Sequence, residues 1–171
     1  TIVVFQQLNF MQTKDLGLDK DHVISMSFYD ELAGNYESFT NEVLANNAVD
    51  NISRSSRIPS GRLRDSYGSA QVQLNGGQLE QNAADLKSLT VDHRFVPTYD
   101  LIMAAGRNYR EDKGLDRSGS FMLNEKAIKT LGWPDSETAI GKRIIYGGRD
   151  AHIVGVIDYF NFEVHEKEFD I

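Results

Sequence analysis

The sequence predicts an α+β protein organised as two lobes, and three observations point there. Apolar residues at helical spacing and apolar residues in alternation follow one another along the first 55 residues, in the order helix, strand, helix, strand. A strand runs straight into a capped helix at residues 120–134. Between these regions lies a polar, basic, turn-rich connector at residues 54–68, which reads as the boundary between lobes.

The clearest element is residues 120–134. Phe121 to Leu123 is a short apolar run expected to form a buried strand. Asn124 then stands where a helix N-cap belongs, because its side-chain oxygen can accept a backbone N–H of the first turn. Glu125 suits the positive end of the helix, and Ala127, Ile128 and Leu131 share one face. Gly132 fits the left-handed position that closes a helix, Trp133 is placed to fold back on Ile128, and Pro134 prevents continuation.

The remaining elements follow in chain order. Residues 1–15 read as a helix with Val4, Leu8 and Met11 on one face and Gly17 as its stop. The apolar burst Ile2-Val3-Val4-Phe5 running into amphipathic sequence has the pattern of the last turns of a membrane-spanning helix; a surface helix with an apolar stripe is the alternative. His22 to Phe28 alternates, with Ile24, Met26 and Phe28 on one side, and predicts a half-buried strand. Residues 33–47 predict an amphipathic helix carrying Tyr36, Phe39 and Val43, weakened at Gly34 and ended by Asn46-Asn47. Val49 to Ser55 is expected to be a strand. With its neighbours it makes a βαβ-type unit behind the lead-in helix.

Beyond the connector, Ser69 to Leu74 alternates as a strand. Asn75-Gly76 follows as a turn signal. The return strand is expected at Leu86–Val91, leaving residues 75–84 as a polar loop. Asp92 can cap a short helix with Phe95 and Tyr99, held to a single turn by Pro97. Leu101 to Ala105 is a short apolar segment stopped by Gly106, and residues 111–119 form a charged loop. Ile140-Gly141-Lys142 leads into a strand at Arg143–Tyr146, turned by Gly147-Gly148. His152 to Phe160 is apolar on both faces and should be the central strand of its sheet, with Gly155 marking a close backbone approach. The charged tail from Glu163 to Ile171 is expected to be extended or frayed.

Composition bounds the function. The 171 residues are 40% hydrophobic and 25% charged, an ordinary globular balance, with a formal net charge of −7. No basic stripe is present, which disfavours nucleic acid, and the acidity disfavours docking on anionic lipid headgroups. The absence of cysteine excludes disulfides, thiolate metal sites and cysteine nucleophiles, and fits a bacterial extracytoplasmic location.

The chemistry-bearing residues form no motif. His22, His93, His152 and His165 lack the i, i+3 or i, i+4 spacing of a helical metal site. Asp158, Glu163, Glu166, Glu168 and Asp170 make an acidic run without the glycine turn of a calcium loop. Arg54, Arg57, Arg62 and Arg64 invite an anion-binding reading, but no aromatic or glycine nest accompanies them in the sequence and a solvated loop accounts for them. Gly147-Gly148 joins two strands, so a dinucleotide fingerprint fails on context. No serine sits in a nucleophile elbow. The sequence therefore yields no catalytic, cofactor-binding or metal-binding residue and implies no cofactor.

Over roughly 150 residues the chain resembles the extracytoplasmic core domain of MacB/FtsX-like ABC transporter permeases. The matching stretches occur in the family's order. Gln7 to Met11 and Lys14 to Asp21 are similar to the segment after a transmembrane helix. Asp92-His93-Arg94-Phe95, Thr98-Tyr99 and Gly106-Arg107-Asn108-Tyr109 resemble the family's middle. Leu123 to Ala127, Leu131-Gly132-Trp133, Ile140-Gly141-Lys142, Gly155 to Asp158 and Phe160-Asn161-Phe162 resemble its end. Pro97 and a segment one residue shorter between Gly155 and His165 depart from the pattern.

The resemblance implies a porter-like lobe from residues 1–60 and 149–171, and an inserted, mixed α/β Sabre-like lobe from residues 61–148. It implies a periplasmic domain held at the bacterial inner membrane by flanking transmembrane helices of the same permease. The permease would be a dimer driven by a cytoplasmic ABC ATPase, with a periplasmic partner protein as a further expectation. The domain would be non-catalytic, passing ATP-driven motion to an exported substrate or a regulated partner. The alternative is a periplasmic ligand-sensing domain of a signalling receptor, which would carry one formed pocket with convergent polar groups. An enzyme stands third and would need a cleft with perturbed carboxylates.

Overall fold

A computed structural model describes residues 22–28, 30–58, 66–74, 77–111 and 119–158. The elements are α1 (Asp30–Gly34), α2 (Tyr36–Leu44), β1 (Ala70–Gln73), β2 (Leu79–Asn82), α3 (Phe95–Thr98), β3 (Met103–Gly106), β4 (Ser120–Asn124), α4 (Glu125–Leu131), α5 (Ser136–Ala139), β5 (Arg143–Tyr146) and β6 (Arg149–Ile157). Helices and a six-stranded sheet share the chain, which is the α+β class the sequence predicts.

The sheet is organised around β6. β5 pairs with it antiparallel through Tyr146↔Arg149 and Ile144↔Ala151, and β3 pairs antiparallel through Gly106↔Gly155 and Met103↔Ile157. β4 runs parallel to it, from Ser120↔His152 to Asn124↔Ile157. Because β4 overlaps both partners along β6, it takes one edge while β5 and β3 divide the other. β1 adds to β5 through Val72↔Ile144, and β2 closes the far side by pairing with β1. β6 lies within residues 149–171, and its three partners all come from residues 61–148.

The two-sided apolarity of β6 has its explanation in two cores, since successive residues of a strand point to opposite faces. Leu123 and Val156 enter one core with Val72, Ile144 and Ile153, covered by Ala127, Ile128 and Leu131 of α4 and by Trp133. Their neighbours Met122 and Ile157 enter a second core with Phe95, Val96, Tyr99 and Leu101. Tyr146 ties a loop to the first core: its hydroxyl donates to the Leu86 carbonyl and accepts the Tyr67 N–H at 3.0 Å.

The helix stops are built as predicted. Asn124 Oδ1 accepts the Ala127 N–H at 2.8 Å while Asn124 itself is extended and 3% exposed. Gly132 is left-handed at φ 97°, and the Trp133 N–H bonds back to the Ile128 carbonyl at 3.1 Å. The Trp133 indole N–H donates to the Gln73 carbonyl at 3.1 Å, joining α4 to β1. Gly155 is also as expected: a Cβ there would lie 2.3 Å from the Arg107 carbonyl oxygen. Asp92 does not cap α3 as expected: Arg94 is the N-cap residue, with no side-chain cap bond, and Asp92 instead accepts the Arg94 N–H through its carboxylate and the Phe95 N–H through its carbonyl.

Four further expectations need correction. Residues 23–28 form no strand, and Ile24 and Met26 are 93% and 68% exposed; no described strand runs beside them to fix a register. Val49–Ser55 is likewise not a strand, leaving one isolated bridge, Ser55↔Val91. The return strand after β1 is Leu79–Asn82, not Leu86–Val91. An edge hairpin needs backbone pairing more than an apolar face, and periodicity is blind to that. The helix expected over 33–47 breaks at Asn35, after Gly34, into α1 and α2. α5 was not predicted, although Asp135 caps it by accepting the Thr138 N–H at 2.7 Å. The lead-in helix at 1–15 and the tail at 163–171 lie outside the described residues.

Candidate functional site

The most site-like feature is a cleft of about 620 Å³ between α2 and the segment 88–94, within the size range of small-molecule sites. Its position follows from local bonding. Residues 54–56 are laced to residues 90–92: the Ser56 N–H donates to the Thr90 carbonyl at 2.8 Å and the Asp92 N–H to the Arg54 carbonyl at 3.1 Å. Asp92 secures the corner by accepting the Arg54 N–H at 3.0 Å and the Arg94 N–H at 3.2 Å. The Tyr36 hydroxyl also donates to the Asp92 carboxylate, at 3.5 Å. Asn108 fixes the neighbouring loop through a 2.7 Å bond to the His93 carbonyl.

Four arginines, Arg54, Arg94, Arg110 and Arg149, line this cleft, against the acids Glu37, Asp92 and Glu111. The local balance is therefore cationic on a chain of net charge −7. The Arg54 guanidinium lies over the Tyr36 ring, 3.9 Å from its centroid, with Phe28 at 5.7 Å, a cation–π stack. Phe28 meets Tyr36 edge-on at 5.6 Å. Burial pushes the Tyr36 hydroxyl pKa up, as does Asp92, while Arg54 and Arg94 oppose it. Tyr36 is thus a neutral hydrogen-bonding group across the ordinary pH range. Arg94 and His93 each approach an exposed Glu111 oxygen only to 3.9 Å, a weak surface pairing. An apolar slot of about 50 Å³ lies between the two cores, and Leu89, Val91, Tyr109 and Phe121 line both it and the cleft.

Three solved structures are similar to this chain. The periplasmic region of MacB from Actinobacillus actinomycetemcomitans is 20% identical, with 83% of this chain and 55% of that one covered and a TM-score of 0.47. A domain of a permease protein from Porphyromonas gingivalis is 17% identical, covering 68% and 48%, with a TM-score of 0.40. The extracellular domain of the noncanonic ABC-type transporter YknZ from Gram-positive bacteria is 18% identical, covering 78% and 68%, with a TM-score of 0.45. The chain spans about half the length of the first two. No protein-family model and no curated protein matches it. No helix among the described residues is long and apolar enough to cross a membrane.

Against the sequence reading, the four histidines stay apart. His22 and His152 are exposed, His93 borders the cleft, and His165 lies outside the described residues. No group of three or more acidic or histidine side chains able to hold a metal occurs among the described residues. In the arginine-rich connector Arg54 and Arg57 are exposed, as a solvated loop requires, although Arg54 also stacks on Tyr36; Arg62 and Arg64 lie outside the described residues. Arg94, Arg110 and Arg149 come from three separate segments, so no spacing in the sequence could have grouped them.

Proposed function

We propose that this chain is the extracytoplasmic domain of an ABC-type permease. It is a non-catalytic body that passes motion driven by cytoplasmic ATP hydrolysis to an exported substrate or a regulated partner. The observation that carries this reading is where the resemblance-bearing residues fall in the fold. Asn124, Gly132 and Trp133 begin and end α4, the Gly141 N–H bonds to the Ile153 carbonyl at 2.8 Å, and Gly155 packs on Arg107. Asn124, Gly141 and Gly155 are joints between β4 or β6 and a neighbour, and Trp133 joins α4 to β1, the arrangement suited to a stiff lever. β6 is hydrogen-bonded along both edges, so displacement at its Ile157 end moves β3, β4 and β5 with it.

The partners and the lobe division belong to the same proposal: flanking membrane helices, a cytoplasmic ABC ATPase, a second permease copy and a periplasmic partner. In this reading residues 1–60 and 149–171 make the porter-like lobe and residues 61–148 the inserted lobe, with β6 the strand on which the inserted lobe's β3, β4 and β5 pair. The test uses the complete gene product in its membrane. This chain contributes no cysteine, so single cysteines at exposed Glu137 and Asn46 can be placed at will. Labelling by a membrane-impermeant maleimide in whole cells and a spin-label distance that changes with ATP are expected. Labelling only after lysis, or a distance indifferent to nucleotide, refutes the reading. The cleft favours a second reading, a ligand-sensing domain between two membrane helices; a signalling output domain after the second span would decide for it.

A further inference from the structure

The cleft and the slot that borders it have complementary chemistry. Arg54, Arg94 and Arg149 line the cleft together with Leu89 and Phe121, and an apolar recess of about 50 Å³ lies between the cores. The two cavities share Leu89, Val91, Tyr109 and Phe121, so the apolar recess borders the arginine-lined cleft. Among the described residues neither Arg54 nor Arg149 forms a salt bridge. The Asp92 carboxylate lines the same cleft and accepts the Arg54 and Arg94 N–H groups and the Tyr36 hydroxyl. Guanidinium groups at an aromatic-walled mouth favour an anion with an apolar body, because charge-assisted bonds and apolar burial then act on the same molecule.

We propose that this cleft binds an amphipathic organic anion, its carboxylate or sulfonate among Arg54, Arg94 and Arg149 and its apolar end over Leu89 and Phe121 toward the slot. The carboxylates of Glu37, Asp92 and Glu111 line the same cleft and favour a ligand with a single negative charge over a dianion. The site goes beyond the permease reading and does not rest on it. It assigns a ligand class to a surface of the isolated chain.

The test is a fluorescence titration of the full 171-residue chain with 1-anilinonaphthalene-8-sulfonate, an aromatic monoanion. Octanoate, 1-octanol and acetate serve as competitors. Saturable binding at one site is expected, displaced by octanoate, with 1-octanol and acetate each at least tenfold weaker. Arg149→Glu, on an exposed residue, should weaken probe binding at least tenfold. Lys129→Glu makes the same charge change on exposed α4 and should leave it within twofold. Equal competition by octanoate and 1-octanol would overturn the anion assignment, and equal competition by octanoate and acetate would overturn the apolar half. Equal effects of the two variants, or unsaturable binding, would overturn the site. None of these outcomes touches the membrane topology that tests the permease reading.

Discussion

Gly155→Ala is the sharpest perturbation of the lever. The added Cβ would stand 2.3 Å from the Arg107 carbonyl oxygen, 2.6 Å from Met103 Cε and 3.1 Å from the Arg107 carbonyl carbon. Met103 can swing away, but the carbonyl is backbone and can retreat only if β3 leaves β6 by about 1 Å, the distance needed to restore van der Waals contact. That movement stretches the Arg107 N–H to Val154 carbonyl bond, now 2.9 Å, beyond useful length. Overpacking of about 1–3 kcal/mol and a lost hydrogen bond of about 1 kcal/mol sum to roughly 3 kcal/mol. For a chain of this size the melting temperature should fall by about 6–12 °C. The single tryptophan, Trp133, is 3% exposed in the first core, so its emission will shift to the red on unfolding and provides the readout. Gly34→Ala is the control, since a Cβ there meets nothing within 4 Å. It should be neutral or stabilise by up to about 1 kcal/mol. A Gly155→Ala protein melting within 2 °C of the parent would refute the close crossing and the stiffness drawn from it.

Other perturbations test single joints. Asn124→Ala removes the α4 cap and should cost about 1–2 kcal/mol in urea unfolding, toward the upper end because the site is buried. Tyr146→Phe leaves the Leu86 carbonyl and the Tyr67 N–H without their partner and should cost about 1–3 kcal/mol. The Arg143 guanidinium beside Asp150 lowers that carboxyl's pKa, and the Thr138 cap contacts lower that of Asp135. A carboxyl with a depressed folded-state pKa contributes stability that is whole above its unfolded value, near 3.9, and is lost as pH falls through the folded value. The melting temperature should therefore decline on acidification below about pH 4. Asp150→Asn should make that decline shallower in a series of melts from pH 5 to pH 2.

Much of this protein is legible in its residues because the signals are local. The unit from Phe121 to Trp133 carries its own start, face and stop, and each operates through contacts within a few residues. β6 was equally readable, since an apolar run on both faces requires cover on both, and α4 and α3 provide it. Alternation alone misled at Ile24, Met26 and Phe28, because a strand exists only where a neighbour supplies its hydrogen bonds. The polar strand Leu79–Asn82 escaped notice for the converse reason: its neighbour β1 defines it, not its own pattern. The cleft is a product of tertiary structure entirely. Arg54, Arg94 and Arg149 are 40 and 55 residues apart along the chain, and only the lacing of residues 54–56 to 90–92 and the β5–β6 turn bring them around one mouth. Sequence determines what each segment can become by itself, while the meeting of distant charges depends on how the sheet closes, a long-range outcome that no local pattern encodes.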